Sequence, residues 1–454
     1  MRLALSFIYL LCICTALCSE TIPEWGMGVE DNETIIVTLP KENPLRAIYV
    51  TELFTRSKSV SVNADLEKII RFDFSHSGVT DLLAKDPHYE QLVRQALSQG
   101  KAIPPRDAST IVIAPQWIDN QLNYQLYLPR ASKKHIILVG PETSEDIEND
   151  RKAIHTFNDR VLEEYFGGYA WANARIIYTL RKREGGRSYS SEIWCMDRDG
   201  NNNRQITTKG GYCVTPFVVA GGDPSHPRFF YVSYKKGEPR IYYADVGSQK
   251  VTPSLTLRGN QLMPAFSEKA GLLALICDVS GNPDLFVQPY SLEGGAVGAP
   301  RQLFTAKQAT QGSPTFNPEG TELAFVSNKD GSPKIYRLAL NTSGKPQPKL
   351  VSVRAKNGTA PAWSPDGKKI AFCSRTAGFR QIWIADLKTG EEYPITEGKG
   401  HKENPTWAPD SLHLVYNTAD PDHCELFLID CIRRTPKRLS TGTGEKRFPS
   451  FWAR

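Results

Sequence analysis

The sequence lacks several patterns that would identify a protein class directly. Its 55 basic and 49 acidic residues nearly balance, and it has no Lys/Arg-rich block with interleaved aromatic residues, which argues against nucleic-acid binding. Beyond the N-terminus, no apolar run reaches the roughly 18–20 residues that a membrane-spanning helix needs. No Cys-x-x-Cys pair is present, so neither a zinc site nor a thioredoxin-like motif is indicated. The cysteines beyond residue 18 are expected to be small buried apolar side chains.

Signatures of catalysis and of cofactor binding are also absent. The nucleophile motif Gly-x-Ser-x-Gly of α/β-hydrolases does not occur; Gly186–Ser190 is the nearest segment and lacks the second glycine. Asp197–Asn202 resembles the start of a calcium loop, but the later acidic ligand is missing, so we expect a turn between strands. Four isolated histidines are expected at the surface or as hydrogen-bonded residues: His76, His88, His135 and His155. We predict no catalytic residue, no metal site and no cofactor.

The N-terminus has the features of a secretion signal. Arg2 precedes an apolar run, Leu3–Leu17, and Ala16-Leu17-Cys18 offers small residues at the positions that a signal peptidase reads. We predict a signal peptide over residues 1–18 that is cleaved before Ser19, followed by a flexible polar segment over residues 19–32. A retained membrane anchor is one alternative. A lipoprotein signal at Cys18 is another, although Leu17 stands where a small residue is expected.

Residues 33–168 mix helical and strand periods, which predicts an α/β domain. The predicted strands are Thr34–Leu39, Ala47–Leu53, Ile111–Ala114, Tyr124–Leu128 and His135–Val139. The predicted helices are Asp65–Phe74, a helix that begins at Asp86-Pro87, and a helix from about Asp150 to Phe166 that Gly167-Gly168 ends.

A repeated pattern fills the chain from about residue 173. Each copy opens with a proline and a nearby aromatic residue, then has a turn and two apolar strands; the clearest copy begins with Pro361–Gly367 (PAWSPDG). The opening proline recurs every 44 to 50 residues, at Pro216, Pro264, Pro314, Pro361, Pro405 and Pro449. A second marker, the start of the later strand, recurs at Ile193, Ile241, Leu285, Ile335, Ile382 and Leu426. Both markers count six units with the period of propeller blades.

We therefore predict a mainly β six-bladed propeller over residues 173–454. One small sheet cannot bury both faces alone, whereas six sheets stacked around an axis cover one another. A β-sandwich with accidental spacing is the less favoured alternative. The first unit, which starts at Ala174–Tyr178, lacks the proline segment, and Phe448–Arg454 contains that segment and nothing more. We expect this C-terminal segment to supply a strand to the first blade.

The order of these features resembles the TolB family, whose members are periplasmic components of the Tol-Pal system. The resemblance rests on the helix end Glu163–Gly167, the strand Arg175–Tyr178, the blade motif Trp363–Gly367 and the terminal Phe448–Trp452, and it covers essentially the whole mature chain. It implies a periplasmic, non-enzymatic, monomeric scaffold that supports outer-membrane integrity and cell division. The implied partners are the peptidoglycan-associated lipoprotein Pal, bound at one mouth of the propeller, and TolA and other inner-membrane Tol proteins, contacted through the mature N-terminus.

The resemblance also implies which residues contact Pal, because the contacting loops of the family lie just before the proline of each repeat. The corresponding positions are Asn260, Met263, Ser313, Ala360, Glu403, Asn404, Arg447 and Phe448. Gly312-Ser313 departs from the longer polar or acidic pair that the family pattern implies. Two other functions stay open: a propeller lectin or small-ligand binder that uses the central channel, and a peptidase-related propeller, which the missing nucleophile motif disfavours.

Overall fold

The structure is a computed structural model that describes residues 45–54, 60–118, 120–131, 134–142, 144, 146–185, 188–208, 211–219, 226–340, 347–420 and 424–452. The predicted signal peptide, the segment 19–32 and the predicted strand Thr34–Leu39 lie outside these residues. Among the helices of the described ranges, none combines the length and the apolar character that crossing a bilayer requires.

The N-terminal part is an α/β domain with one five-stranded sheet in the order β2-β1-β3-β4-β5. Its strands are β1 Arg46–Val50, β2 Thr80–Leu82, β3 Ile111–Ile118, β4 Gln121–Tyr127 and β5 His135–Glu142. Its helices are α1 Val60–Ser75, α2 Pro87–Ser98 and α3 Ile147–Val161, which continues as a π-helical turn over Leu162–Phe166. β1 runs parallel to β2 and β3, and the remaining pairs are antiparallel.

The domain has three layers, with helices on both faces of the sheet. Side chains alternate between the two faces along each strand, so one strand contributes to both cores. Ile48 and Val50 of β1 face the core formed with α1 and α3, whereas Tyr49 between them belongs to the core formed with α2. The Asp86 carboxylate accepts hydrogen bonds from the backbone N–H groups of the first turn of α2, with Pro87 at the first helical position. The predicted helices are present; β2 has only three residues and was not predicted.

Six sheets of four antiparallel strands form the propeller, numbered here as blades in chain order. Blade 1 contains β6 Arg175–Gly185, β7 Ser188–Asp197 and β8 Arg204–Gln205. Blade 2 contains β9 Cys213–Val218, β10 Arg228–Ser233, β11 Arg240–Asp245 and β12 Lys250–Pro253. Blade 3 contains β13 Gln261–Ser267, β14 Leu272–Cys277, β15 Asp284–Ser291 and β17 Arg301–Phe304, with the short extra strand β16 Gly295–Ala296.

The remaining blades repeat this arrangement, so the predicted six-bladed propeller is confirmed. Blade 4 contains β18 Gln311–Phe316, β19 Glu322–Ser327, β20 Lys334–Ala339 and β21 Lys349–Leu350. Blade 5 contains β22 Thr359–Trp363, β23 Lys369–Thr376, β24 Phe379–Asp386 and β25 Glu392–Pro394. Blade 6 contains β26 Lys402–Trp407, β27 His413–Thr418, β28 Leu426–Asp430 and β29 Pro436–Arg438. The last strand is β30 Glu445–Trp452.

β30 is the innermost strand of blade 1, where it pairs antiparallel with β6 from Glu445↔Arg181 to Trp452↔Arg175. Arg181 and Glu445 also form an ion pair. The Ser450 hydroxyl accepts a hydrogen bond of 3.1 Å from the backbone N–H of Val218 in blade 2. Blade 1 therefore combines the beginning and the end of the propeller segment, and its inner strand also contacts the next blade.

A separate apolar cluster fills each of the six junctions between neighbouring blades. The junction of blades 6 and 1, for example, buries Ile176 of β6 against Val415 of β27 and includes Trp171, which precedes the first blade. Both faces of every sheet are thus covered by neighbours, as the physical argument for repeats requires.

A buried ion network joins the α/β domain to the propeller. Asp73 of α1 is fully buried and accepts hydrogen bonds of 2.8 Å from Arg198, in the turn after β7, and from Asn158 of α3. The ring Nδ1 of His155 lies 2.7 Å from the same carboxylate. Burial alone would raise the pKa of Asp73, but His155 and Arg198 outweigh it and lower that pKa to about 2. Trp171 covers the Arg198 guanidinium at 4.1 Å.

Shortening the chain to end at Phe448 should lower the melting temperature by roughly 10 °C or more. The truncation removes the backbone pairs of Ser450, Phe451 and Trp452 with β6 and leaves Arg175–Ile177 of that strand as an open edge. Thermal unfolding followed by circular dichroism measures the change. Thr443→Ala, at an exposed position in the same C-terminal segment, is the control. An unchanged melting temperature of the truncated chain would contradict the role of β30.

Asp73→Asn should destabilise the protein by about 3–5 kcal/mol, because it leaves His155 and Arg198 buried without their counter-charge. The matched control is Asp81→Asn, since Asp81 makes a half-exposed ion pair of 3.1 Å with Arg433; it should cost no more than about 1 kcal/mol.

The penalty of Asp73→Asn should also depend on pH. The Asp73 pKa is lowered, so its contribution is present above the usual value of 3.8 and is lost as pH falls through about 2. Burial lowers the pKa of His155, but Asp73 outweighs it and raises that pKa above 6.5, so this contribution is present below pH 6.5 and is lost as pH rises through the raised value. Denaturant unfolding from pH 2 to pH 9 should give the largest penalty between pH 3.8 and pH 6.5. A penalty independent of pH would contradict the charge assignment.

Candidate functional site

The two ends of the propeller differ in what covers them. In each blade, the turns between the first and second strands and between the third and fourth strands lie at one end, and the α/β domain packs there. A Cβ added at Gly78 would lie 2.9 Å from Leu412, in the turn before β27. Arg433, in the turn after β28, donates hydrogen bonds of 3.2 Å and 2.6 Å to the carbonyls of Ser75 and Thr80.

We call the opposite end the mouth. It consists of the connections from the last strand of each blade to the first strand of the next, and of the hairpins between second and third strands. The innermost strands begin at this end, because the strands of each blade alternate in direction. The mouth therefore faces away from the contacts that the α/β domain makes.

Every innermost strand has a β-bulge with the same unusual backbone. The residue immediately before the opening proline of each repeat has a positive φ between 44° and 52°, although none is glycine: Thr215, Met263, Ser313, Ala360, Asn404 and Phe448. The pairing with the second strand shifts register at each of these places. The left-handed conformation costs roughly 1–2 kcal/mol for a residue with a side chain. Repetition on six blades indicates that the ring geometry imposes the bulge.

The eight residues that the resemblance implied for Pal contact are all half-buried at the start of the innermost strands. Only Asn260 lies in a connection, directly before β13; the other seven lie within strands, not in loops as the resemblance implied. The bulge explains this difference, because it is a local distortion of a paired strand and not a break in it. Residue types gave no signal for positive φ here, since only Asn404 belongs to a type that adopts it readily.

Contacts between blades hold several of these residues in place. The Met263 sulfur accepts a 3.1 Å hydrogen bond from the backbone N–H of Ser313, which joins blades 3 and 4. Asn417 of β27 accepts bonds from Asn404 at 2.9 Å and from the backbone of Phe448 at 3.2 Å, which joins blades 6 and 1. The side-chain amide of Asn260 donates a hydrogen bond of 2.6 Å to the Asp278 carboxylate, within blade 3.

Of the eight residues, Glu403 and Arg447 form ion pairs, and both lie in the sector of blades 6 and 1. Glu403 forms an ion pair with Arg380 of blade 5. Arg447 donates a hydrogen bond of 2.8 Å to the Glu445 carboxylate, which also forms an ion pair with Arg181. Burial opposes the charge on Arg181, but the hydrogen bond to Glu445 outweighs it and raises the pKa of Arg181. The inner positions of blades 2 to 5, in contrast, are uncharged: Thr215, Met263, Ser313 and Ala360.

The outer rim of the mouth is strongly basic. Ten basic side chains are exposed there: Lys182, Arg183, Lys235, Lys236 and Arg375 on hairpins, and Arg258, Lys307, Arg354, Lys356 and Lys399 on connections between blades. Four acidic side chains are exposed in the same described segments: Glu184, Glu238, Asp330 and Glu397. The surplus is as large as the formal net charge of +6 of the whole chain. Burial and the neighbouring Arg380 lower the pKa of His401 below its usual value.

A group with metal-ligand chemistry lies elsewhere, at the domain junction. The ligand atoms of His155, Asp197 and Asp199 lie within 4.8 Å of one another. Arg151 binds the Asp199 carboxylate at 2.7 Å, and Arg151 and Arg175 both lie 3.4 Å from Asp197. Two guanidinium groups already neutralise the carboxylates, so the electrostatics favour an ion-pair cluster over a cation site. The segment resembling a calcium loop is the turn between β7 and β8.

The segment nearest to a nucleophile motif has the wrong backbone for one. Ser188 and Ser190 lie in β7, on a β-hairpin that pairs with β6, whereas a nucleophile elbow requires a sharp turn from a strand into a helix.

Comparison with known proteins adds the family. The family model described as the TolB beta propeller domain matches residues 166–454. The chain belongs to the TolB family. A protein TolB homolog of Protochlamydia amoebophila (strain UWE25) is 38% identical over 87% of this chain and 86% of its own length. The TolB homolog of Chlamydia pneumoniae is 38% identical over 83% of this chain and 85% of its own.

A solved TolB structure agrees in fold. The crystal structure of TolB from Acinetobacter baumannii superposes with a TM-score of 0.68 and covers 90% of this chain and 97% of its own. At 20% sequence identity, this likeness concerns the backbone arrangement of the TolB family and not the side chains of the mouth.

Ala360→Gly should raise the free energy of unfolding by about 0.5–1 kcal/mol, because relief of the left-handed strain exceeds the extra entropy that glycine loses. Ala362→Gly, two residues further along β22 and without positive φ, should lower it by a similar amount. Urea denaturation measures both changes. Equal destabilisation by the two substitutions would contradict the strain at the bulge.

Proposed function

We propose that this TolB-family protein is a periplasmic, non-enzymatic scaffold of the Tol-Pal system that binds a Pal-type lipoprotein at the mouth of its propeller. The observation that carries the proposal is the mouth itself, which presents a ring of half-buried residues from six blades at the end away from the α/β domain. Family membership supplies the class of partner. Contact with TolA or other inner-membrane Tol proteins through residues 19–32, and a role in outer-membrane integrity and cell division, belong to the same proposal.

The chemistry of the mouth supports binding rather than catalysis. The inner positions Met263, Ser313 and Ala360 offer neutral surface, and Asn260 and Asn404 offer amide groups that can exchange hydrogen bonds with a protein. The contacts between blades fix these residues before any partner arrives, and such preorganisation reduces the entropy lost on binding.

Ser313→Arg should weaken binding of the purified periplasmic domain of a Pal-type lipoprotein from the same organism by at least tenfold, because the larger side chain blocks the centre of the mouth. Ser248→Arg is the matched control: it adds the same group at an exposed turn between β11 and β12, at the other end of the propeller, and should leave the affinity unchanged. Isothermal titration calorimetry measures both dissociation constants.

Equal affinity of the two variants would exclude the mouth as the binding surface. Failure of the unmodified protein to bind the Pal-type domain, together with binding to envelope glycans, would favour the lectin alternative. Amidase and esterase assays of the same preparation should give no turnover above background.

A further inference from the structure

The positive charge of this protein is not spread evenly over the propeller. The exposed basic rim of the mouth carries the surplus, whereas exposed basic and acidic side chains occur in similar numbers in the described turns of the opposite end. Lys269 lies 3.0 Å from Glu319 between blades 3 and 4, and Lys369 lies 4.0 Å from Asp366. The exposed charges therefore give a positive electrostatic potential at the mouth, whereas the charges at the opposite end of the propeller nearly balance.

Several lysines of the rim form no ion pair within the described part of the chain. Lys235, Lys236 and Lys356 are examples, whereas Arg380 and Arg447 each form an ion pair. Unpaired exposed charges contribute little to folding stability, but together they attract an oppositely charged partner over a distance of about 10 Å at 0.1 M salt.

We infer that the mouth recognises a folded protein domain whose docking face has an acidic border around a neutral centre. The arrangement has two zones. The outer hairpins and connections carry basic side chains, and the inner positions are uncharged at Met263, Ser313 and Ala360 and neutralised by ion pairs at Glu403 and Arg447. This inference rests on the proposed function, and it adds the charge of the Pal-type face to it. A nucleic acid fits less well, because the basic residues come from separate blades around uncharged inner positions and do not follow one continuous strip. A flat anionic membrane would leave the half-buried inner positions unused.

The test is the salt dependence of association between the full mature chain and the Pal-type periplasmic domain, followed by stopped-flow fluorescence. Lys235→Glu combined with Lys236→Glu should slow association at least tenfold at about 20 mM salt, and the difference should shrink at about 500 mM salt, where screening is strong. Arg354→Glu combined with Lys356→Glu tests a second sector. The control, Lys368→Glu combined with Lys388→Glu, makes the same charge change at exposed positions of the opposite end and should leave the rate unchanged.

The outcomes separate the two proposals. Normal binding of the Pal-type domain by both rim variants, without salt dependence, overturns the acidic face but leaves the proposed function standing. Equal slowing of association by the rim variants and the control also overturns the acidic face, because the effect then depends on the net charge of the protein and not on charges at the mouth. Absence of Pal binding at every salt concentration overturns both. Vesicles containing phosphatidylglycerol and a single-stranded oligonucleotide are the comparison probes, and tighter binding to either than to the Pal-type domain overturns the protein partner.

Discussion

The architecture depends on the pairing of β30 with β6. A ring of sheets has stable junctions only if the first and last blades are held together, and here the final strand of the chain lies inside the first blade. The six apolar junctions, the alignment of the innermost strands and the shape of the mouth all follow from this closure. The bulges have the same origin, since each innermost strand must bend at the corresponding position around the propeller axis. Six residues adopt the left-handed conformation at these bends.

The second determinant of the structure is the fixed attachment of the α/β domain to one end of the ring. Asp73, His155 and Arg198 place three charges at a buried boundary, where they are stable only together. This attachment covers turns of blades 1 and 6 and leaves the other end to a partner. The same connectivity collects basic residues from distant parts of the sequence on one rim, although the net charge of the whole chain is modest.

The fold could be predicted from the sequence in most respects because its signals are local or periodic. The spacing of prolines such as Pro361 and Pro405 counted the blades, and Asp86-Pro87 marked a helix start through hydrogen-bonding chemistry. The network around Asp73 could not be predicted, because its partner Arg198 lies 125 residues away and a single aspartate in a helix has no distinguishing pattern. The bulge conformations were equally hidden, since Ala360 and Met263 are not residue types that favour positive φ. The basic rim could not be predicted either, because its lysines are scattered along the sequence. They form one surface only once the arrangement of the blades is known.

The position of β30 also has a consequence for biosynthesis. The inner edge of β6 has no strand partner until Glu445–Trp452 have been made, so blades 2 to 6 can form on a nascent chain before blade 1 is complete. An unpaired strand edge can pair with the wrong strand or with another molecule. A chain released before Glu445–Trp452 have been made would therefore be an open ring with an unpaired strand edge, which proteases can recognise and remove.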